Sequence, residues 1–249
     1  MKITKHVLIG PVIMLVVWLL VSELKLVDAF FLPTPLETIT ELVKLLADGS
    51  LMKDILFTLQ RMFIAFLIAV VIGIPAGLFL GSSRKLYESF EFVIDFFRSI
   101  PATAMFPLFL LVFGIEDNSK IAVTAFAACL IIIFNTAHGV MHTKKSRTLA
   151  VRLIGATRLH IFRFVSFWET LPQIFVGLRT ALSLSLVIII VTEMFIGTYV
   201  GLGRRIIDFQ YIYNIKGMYA VILLTGILGY LINVIFIMVE KRLLHWTEK

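Results

Sequence analysis

Four apolar stretches, Val7–Ser22, Ile55–Leu80, Ile121–Val140 and Met218–Val239, govern what this chain can become. A helix crossing a hydrocarbon core needs ~20 such residues; the first stretch is short and can be extended at either end. Of 249 residues 59% are apolar and 16% charged, with a mean hydropathy of +0.99. Soluble domains hold about 45–50% apolar and about 25% charged residues. The surplus needs lipid to face, which excludes a water-soluble enzyme, a disordered chain and a nucleic-acid-binding domain. The chain is expected to be an all-α, polytopic membrane protein.

Two weaker stretches complete a count of six spans. Ile100–Ile115 is interrupted by Pro101 and Pro107, and Ala181–Ile196 by several hydroxyl residues. An even count puts both termini on one side. With the termini inside, cytoplasmic segments carry 13 Lys and Arg against 7 outside, so the positive-inside rule sets both termini in the cytoplasm. The net charge of +7 is thereby read as topology rather than as a nucleic-acid surface. The N-terminal apolar run has no small-x-small cleavage site and is read as a retained span. The single cysteine, Cys129, lies in an apolar run and is read as a small buried hydrophobe.

Ala69, Gly73, Gly77 and Gly81 recur every fourth residue. That spacing makes a narrow strip along which another helix can approach closely, and Pro75 on the same span predicts a kink. Glu88, Glu91, Asp95 and Arg98 share one helix face, with Tyr87, Phe90, Val93, Ile94 and Phe97 elsewhere. They predict an amphipathic helix at the cytoplasmic surface with Asp95 and Arg98 paired.

Enzyme motifs are missing. There is no Gly-Lys dipeptide and hence no phosphate-binding loop, no G-x-S-x-G turn and no His-Glu-x-x-His helix. His138 and His142 stand four apart with no third ligand nearby, and are read as interfacial histidines rather than a metal site. Charges inside spans are functional candidates. Glu193, in Ile188-Ile189-Ile190-Val191-Thr192-Glu193, is the sharpest, and structural pairing and a pathway role stay open for it. Arg61 and Arg179 lie nearer span ends and are expected to snorkel to water. Asn135, Thr136, Ser183, Ser185 and Thr192 can hydrogen-bond between helices or line a wet path.

The segment Met141–Thr170 is cytoplasmic on this topology, with six basic residues, no acid before Glu169, no Pro and one Gly. Two short amphipathic helices bent at Gly155 would project as a partly apolar knob suited to docking a partner protein. A helix pair lying on the anionic leaflet is the alternative.

The run Leu149-Ala150-Val151-Arg152-Leu153-Ile154-Gly155-Ala156-Thr157, continuing to Leu171-Pro172, resembles the signature loop of ABC-importer permeases. That loop reads Glu-Ala-Ala, three residues, Gly, and later Leu-Pro. Here Leu149 stands in place of the Glu, Val151 in place of the second Ala, and Phe167-Trp168 where an earlier Leu-Pro often falls. Phe31-Leu32-Pro33-Thr34-Pro35 resembles the family's entry to a pre-span helix. Gly73-Ile74-Pro75-Ala76-Gly77, Arg98-Ser99-Ile100-Pro101, Phe113-Gly114-Ile115, Thr192-Glu193-Met194 and Gly201-Leu202-Gly203 resemble its later spans. The likeness is to permeases of nitrate, sulfonate, taurine and bicarbonate importers.

The resemblance implies a type I importer permease of the bacterial plasma (inner) membrane. It divides into residues 1–53, the first span and an extracytoplasmic loop with the pre-span helix, and residues 54–249, a five-helix core carrying the coupling loop 141–170. It further implies pairing with a second copy around a central pathway. Two cytoplasmic ATPase subunits would hold ATP and Mg, none being held by this chain, and an extracytoplasmic binding protein would deliver solute. Ala150, Leu153, Ile154, Gly155, Ala156, Thr157, Arg158 and Leu159 are the expected ATPase-docking surface. Arg98, Asn135, Ser183, Ser185, Thr192 and Glu193 are pathway candidates. Two other readings are an ion-coupled carrier or membrane-embedded enzyme using Glu193, and a membrane scaffold.

Overall fold

A computed structural model describes residues 9–143, 145–153, 155–195 and 198–245. Among the described residues all regular structure is helical. The chain divides into two compact units, Met1–Phe57 with Tyr199–Leu228, and Thr58–Thr198 with Gly229–Lys249.

The first unit holds α1 (Ile9–Glu23), α2 (Pro35–Ala47), the first residues of α3 (Met52–Gly81), α10 (Leu202–Tyr211) and the first half of α11 (Ile215–Leu243). The start of α2 is fixed by its sequence. Thr34 accepts from the Glu37 N–H, the Glu37 carboxylate accepts from the Thr34 N–H, and Pro35 takes the first turn, where a missing N–H costs nothing. Trp18 of α1 donates its indole N–H to the Pro33 carbonyl at 3.0 Å. Asp54 accepts from the Gly201 N–H at 2.8 Å and pairs with Arg205 at 2.7 Å, tying the loop before α10 to the start of α3.

The second unit contains most of α3, then α4 (Arg84–Ser99), α5 (Ala102–Phe113), α6 (Asp117–Met141), α7 (Lys145–Leu153), α8 (Arg158–Ile161), a π-helical turn (Phe162–Ser166), α9 (Phe167–Met194) and the end of α11. Small residues let α3 and α6 approach closely. A Cβ on Gly73 would meet Ile132, one on Gly77 would meet Thr136, and one on Gly81 would meet Ala137 and Val140. Ala69, Ala128, Ile132 and Ala181 form a tight core where α3, α6 and α9 meet. A second core packs Met62 against Leu182, Leu186 and Ile189, with Ile232 and Phe236 beside them.

Among the described residues four helices, α3, α6, α9 and α11, are long and apolar enough to cross a membrane. The pair α4 and α5 makes a fifth candidate when taken together, bent by 94° at the Ile100-Pro101 break. α1 is apolar but only 15 residues long. The expected span at Ile100–Ile115 is thus the short second arm of a broken pair. The span expected at Ala181–Ile196 is corrected most: α9 begins at Phe167, and Leu171-Pro172 lies inside it. Its hydroxyl residues weaken the apolar signal because α9 faces protein; Ser185 and Thr192 are fully buried and return their hydroxyl protons to the Ala181 and Ile189 carbonyls. α3 is helical through Pro75.

Candidate functional site

The segment between α6 and α9 is built as two short helices about a glycine. α7 ends at Leu153, and Gly155 has φ +87°, in the left-handed region that a side chain disfavours. Its N–H is held by the Arg152 carbonyl at 3.0 Å. Thr157 then caps α8, its hydroxyl lying 2.6 Å from His160 Nδ1 and accepting the His160 N–H. From α8 the chain passes through the π-helical turn straight into α9. Arg147 of α7 bonds Glu169 of α9 at 2.6 Å, clamping the first arm of the bend to the base of the long helix. Leu149 and Leu153 stay exposed on α7, Leu153 at 80%, as do Phe164 and Trp168 further on. Of the expected docking residues, Ala150, Leu153, Gly155, Ala156 and Thr157 thus fall on or beside the bend, and Arg158 and Leu159 in α8. Ile154 lies outside the described residues.

A cavity of about 1110 Å³ opens beside this bend, lined among others by Arg84, Glu88, His138, His142, Arg152 and Phe162. The two imidazoles stack with centroids 3.9 Å apart. In α4, Arg98 pairs with Asp95 at 3.1 Å, as the helix-face spacing requires, and lies over the Phe134 ring at 3.9 Å.

At the opposite ends of α3, α6 and α9 the structure assembles a buried ionic cluster. Glu193, the penultimate residue of α9, is fully buried. Its carboxylate accepts from Arg61 Nη1 at 2.6 Å and from the Thr58 hydroxyl at 2.8 Å. Arg61 Nε lies 2.9 Å from an Asp117 carboxylate oxygen, and Lys120 Nζ lies 3.6 Å from the same atom. Burying a lone carboxylate carries a penalty of several kcal/mol, and the C-terminal end of a helix disfavours negative charge. The Arg61 guanidinium and Thr58 hydroxyl offset both. The expectation that Arg61 snorkels is overturned: its side chain is only 6% exposed and is paired with the Asp117 and Glu193 carboxylates. Arg179 is partly exposed and stands 3.9 Å from Glu240.

The other pathway candidates scatter. Asn135 donates to the Ile131 carbonyl and accepts from Gln173 at 3.1 Å, joining α6 to α9. Ser183 is exposed, and Ser185 and Thr192 are buried. Sequence reasoning missed Asp117, Lys120, Thr58 and the Arg147–Glu169 clamp. Asp117 carried a signal, since an acid in the first turn of a span begins a helix favourably. The pairing itself spans 132 positions between Arg61 and Glu193, which no local pattern reports.

Long apolar helices, one of them running from a bent charged loop into the protein interior, mark a polytopic membrane protein. The family described as binding-protein-dependent transport system inner membrane component matches residues 69–245, and the chain belongs to that family. A probable ABC transporter permease protein of Brucella abortus (strain 2308) is 31% identical over 221 residues, covering 89% of this chain and 88% of that one. The taurine transport system permease protein of Escherichia coli (strain K12) is 27% identical over 239 residues, covering 94% and 86%. Among solved structures, an inward-facing conformation of the MetNI methionine ABC transporter matches with a TM-score of 0.67 at 26% identity, covering 77% of this chain and 95% of that one. The chain is therefore a multi-pass permease component of an ABC importer, and ATP hydrolysis lies with a partner subunit. The carrier or enzyme reading built on Glu193 gains no support from these likenesses.

Proposed function

We propose that two copies of this chain form one solute pathway, that each copy docks a cytoplasmic ATPase subunit on the bend at Gly155, and that an extracytoplasmic binding protein delivers the solute. Both termini face the cytoplasm. Residues 54–249 form the working core, with residues 1–53 as an added span and pre-span helix. The chain binds no cofactor of its own, and ATP with Mg is held by the ATPases. When ATP draws the ATPases together, the two bends move, and the helices switch between inward-open and outward-open states as largely rigid bodies. ATP and the loaded binding protein set direction by favouring one state through differential affinity.

The observation that carries this reading is the exposed apolar and basic bend at residues 145–166, clamped by Arg147–Glu169 to a helix that enters the core. Leu153, exposed at 80%, anchors the contact, and the proposed docking surface also takes in Ala150, Ile154, Gly155, Ala156, Thr157, Arg158 and Leu159. The solute is a small anion of the nitrate, sulfonate, taurine or bicarbonate kind, supported by the likeness to a taurine permease over 94% of the chain. Ser183, Arg98 and the partly exposed Asn135 are the polar side chains offered to the pathway, whereas Ser185, Thr192 and Glu193 are buried between helices. Gentle purification of the tagged chain from its native membrane tests the assembly. An ATPase subunit recovered at one per copy of this chain is expected; recovery of the chain alone, still active in transport, would contradict the reading.

A further inference from the structure

The cluster at the far end of α9 is an unusual use of charge. Glu193 has no exposed surface, sits at the helix end whose carbonyls repel a carboxylate, and is held by Arg61 at 2.6 Å and Thr58 at 2.8 Å. If stability alone were at stake, apolar side chains of similar volume would serve as well or better than a buried ion pair. What the ion pair adds is a directional bond between particular helices. Its members come from three: Thr58 and Arg61 from α3, Asp117 from α6, Glu193 from α9. The two ion pairs of Arg61 also differ in setting. The Glu193 side is sealed, whereas the Asp117 side chain is 43% exposed.

Position gives the cluster its meaning. α9 has 28 residues, about 42 Å at a rise of ~1.5 Å each. One end continues through the π-helical turn into the bend at Gly155, and the other ends one residue past Glu193. α9 is thus one continuous helix joining the bend to this carboxylate. We propose that Glu193, Arg61 and Asp117 are positioning residues that form a mechanical link, carrying movement of the coupling loop from α9 to the ends of α3 and α6 farthest from it. The inference rests on the ATPase-driven reading above.

The test uses the full complex with its ATPase in proteoliposomes. Asn118, exposed and adjacent to Asp117, is replaced by cysteine in a Cys129→Ala background. Its rate of reaction with a membrane-impermeant maleimide is measured with and without ATP. In the parent, ATP changes the rate at least fivefold; with Glu193→Gln the change falls below twofold per assembled complex. A merely structural pair would lower the amount of complex and leave the ATP-dependent ratio intact. Should Glu193→Gln fail to assemble, Asp117→Asn, which leaves the buried pair in place, gives the same reading. An ATP response retained in these variants, or lacking in a parent that carries its ATPase, overturns the link. Failure of any ATPase to copurify overturns the importer assembly instead.

Discussion

A methyl group on Gly77 would sit 2.5 Å from the Thr136 Cβ and 2.8 Å from the Ile133 carbonyl oxygen, and the second of these is backbone that cannot swing aside. Gly77→Ala should therefore force α3 from α6, at about 1–3 kcal/mol for overpacking, and lower the thermal unfolding temperature of the detergent-solubilised protein. Gly226→Ala, where a Cβ meets nothing within 4 Å, is the control and should leave it unchanged or slightly raised. Equal unfolding temperatures for the two would contradict close α3–α6 packing. The four-residue spacing of the glycines was readable in the sequence because a helix repeats that way on one face. Glu37 supplies a second residue-scale prediction. The Lys216 ammonium at 2.5 Å, with the Thr34 N–H, holds its carboxyl below the ordinary glutamate range. A carboxyl lowered in the folded state stabilises it above the unfolded value and loses that contribution as pH falls through the lowered value. Acid titration should show this small loss, about 0.2–1 kcal/mol for exposed pairs, and Lys216→Ala should flatten it. An unaltered acid slope in that variant would exclude the pair as its source.

Between residue and bundle, the bend from α7 to α9 is the element on which the proposed function rests. Gly155 at φ +87° cannot be matched by proline, whose ring fixes φ near about −65°. Gly155→Pro should leave the chain inserted while uncoupling ATP hydrolysis from uptake; unchanged solute uptake in vesicles would count against the docking role. Arg147→Ala removes the clamp to Glu169 and should reduce uptake per ATP hydrolysed more than it reduces ATPase recovery. Equal losses in both would make the clamp a stability element only. Much of this element was legible: the six basic residues, the lone glycine and the apolar positions mark an exposed bend. Its far boundary was not: the segment expected as loop runs to Thr170, whereas α9 begins at Phe167 and continues through Pro172. α9 itself was read as a weak span for a physical reason. The hydroxyls of Ser185 and Thr192 interrupt the apolar run but bond back to carbonyls of their own helix, so the interruption does not end the span.

For the whole molecule, composition and the apolar stretches pointed to a polytopic membrane protein, and the resemblance of the loop and later spans pointed to importer permeases, the family that residues 69–245 match. The partnering of charges was beyond the reach of any pattern. Arg61, Asp117 and Glu193 are brought together only when three helices pack, and Arg61 read alone looks like a side chain bound for water. In the proposed function the bend carrying Leu153 is cytoplasmic and docks an ATPase. Site-specific photocrosslinking from position 153 in native membranes tests it most directly. A single dominant adduct with an ATPase subunit, lost in Gly155→Pro, is the predicted result; no ATPase adduct, together with labelling of position 153 by an impermeant reagent added outside intact cells, would contradict it.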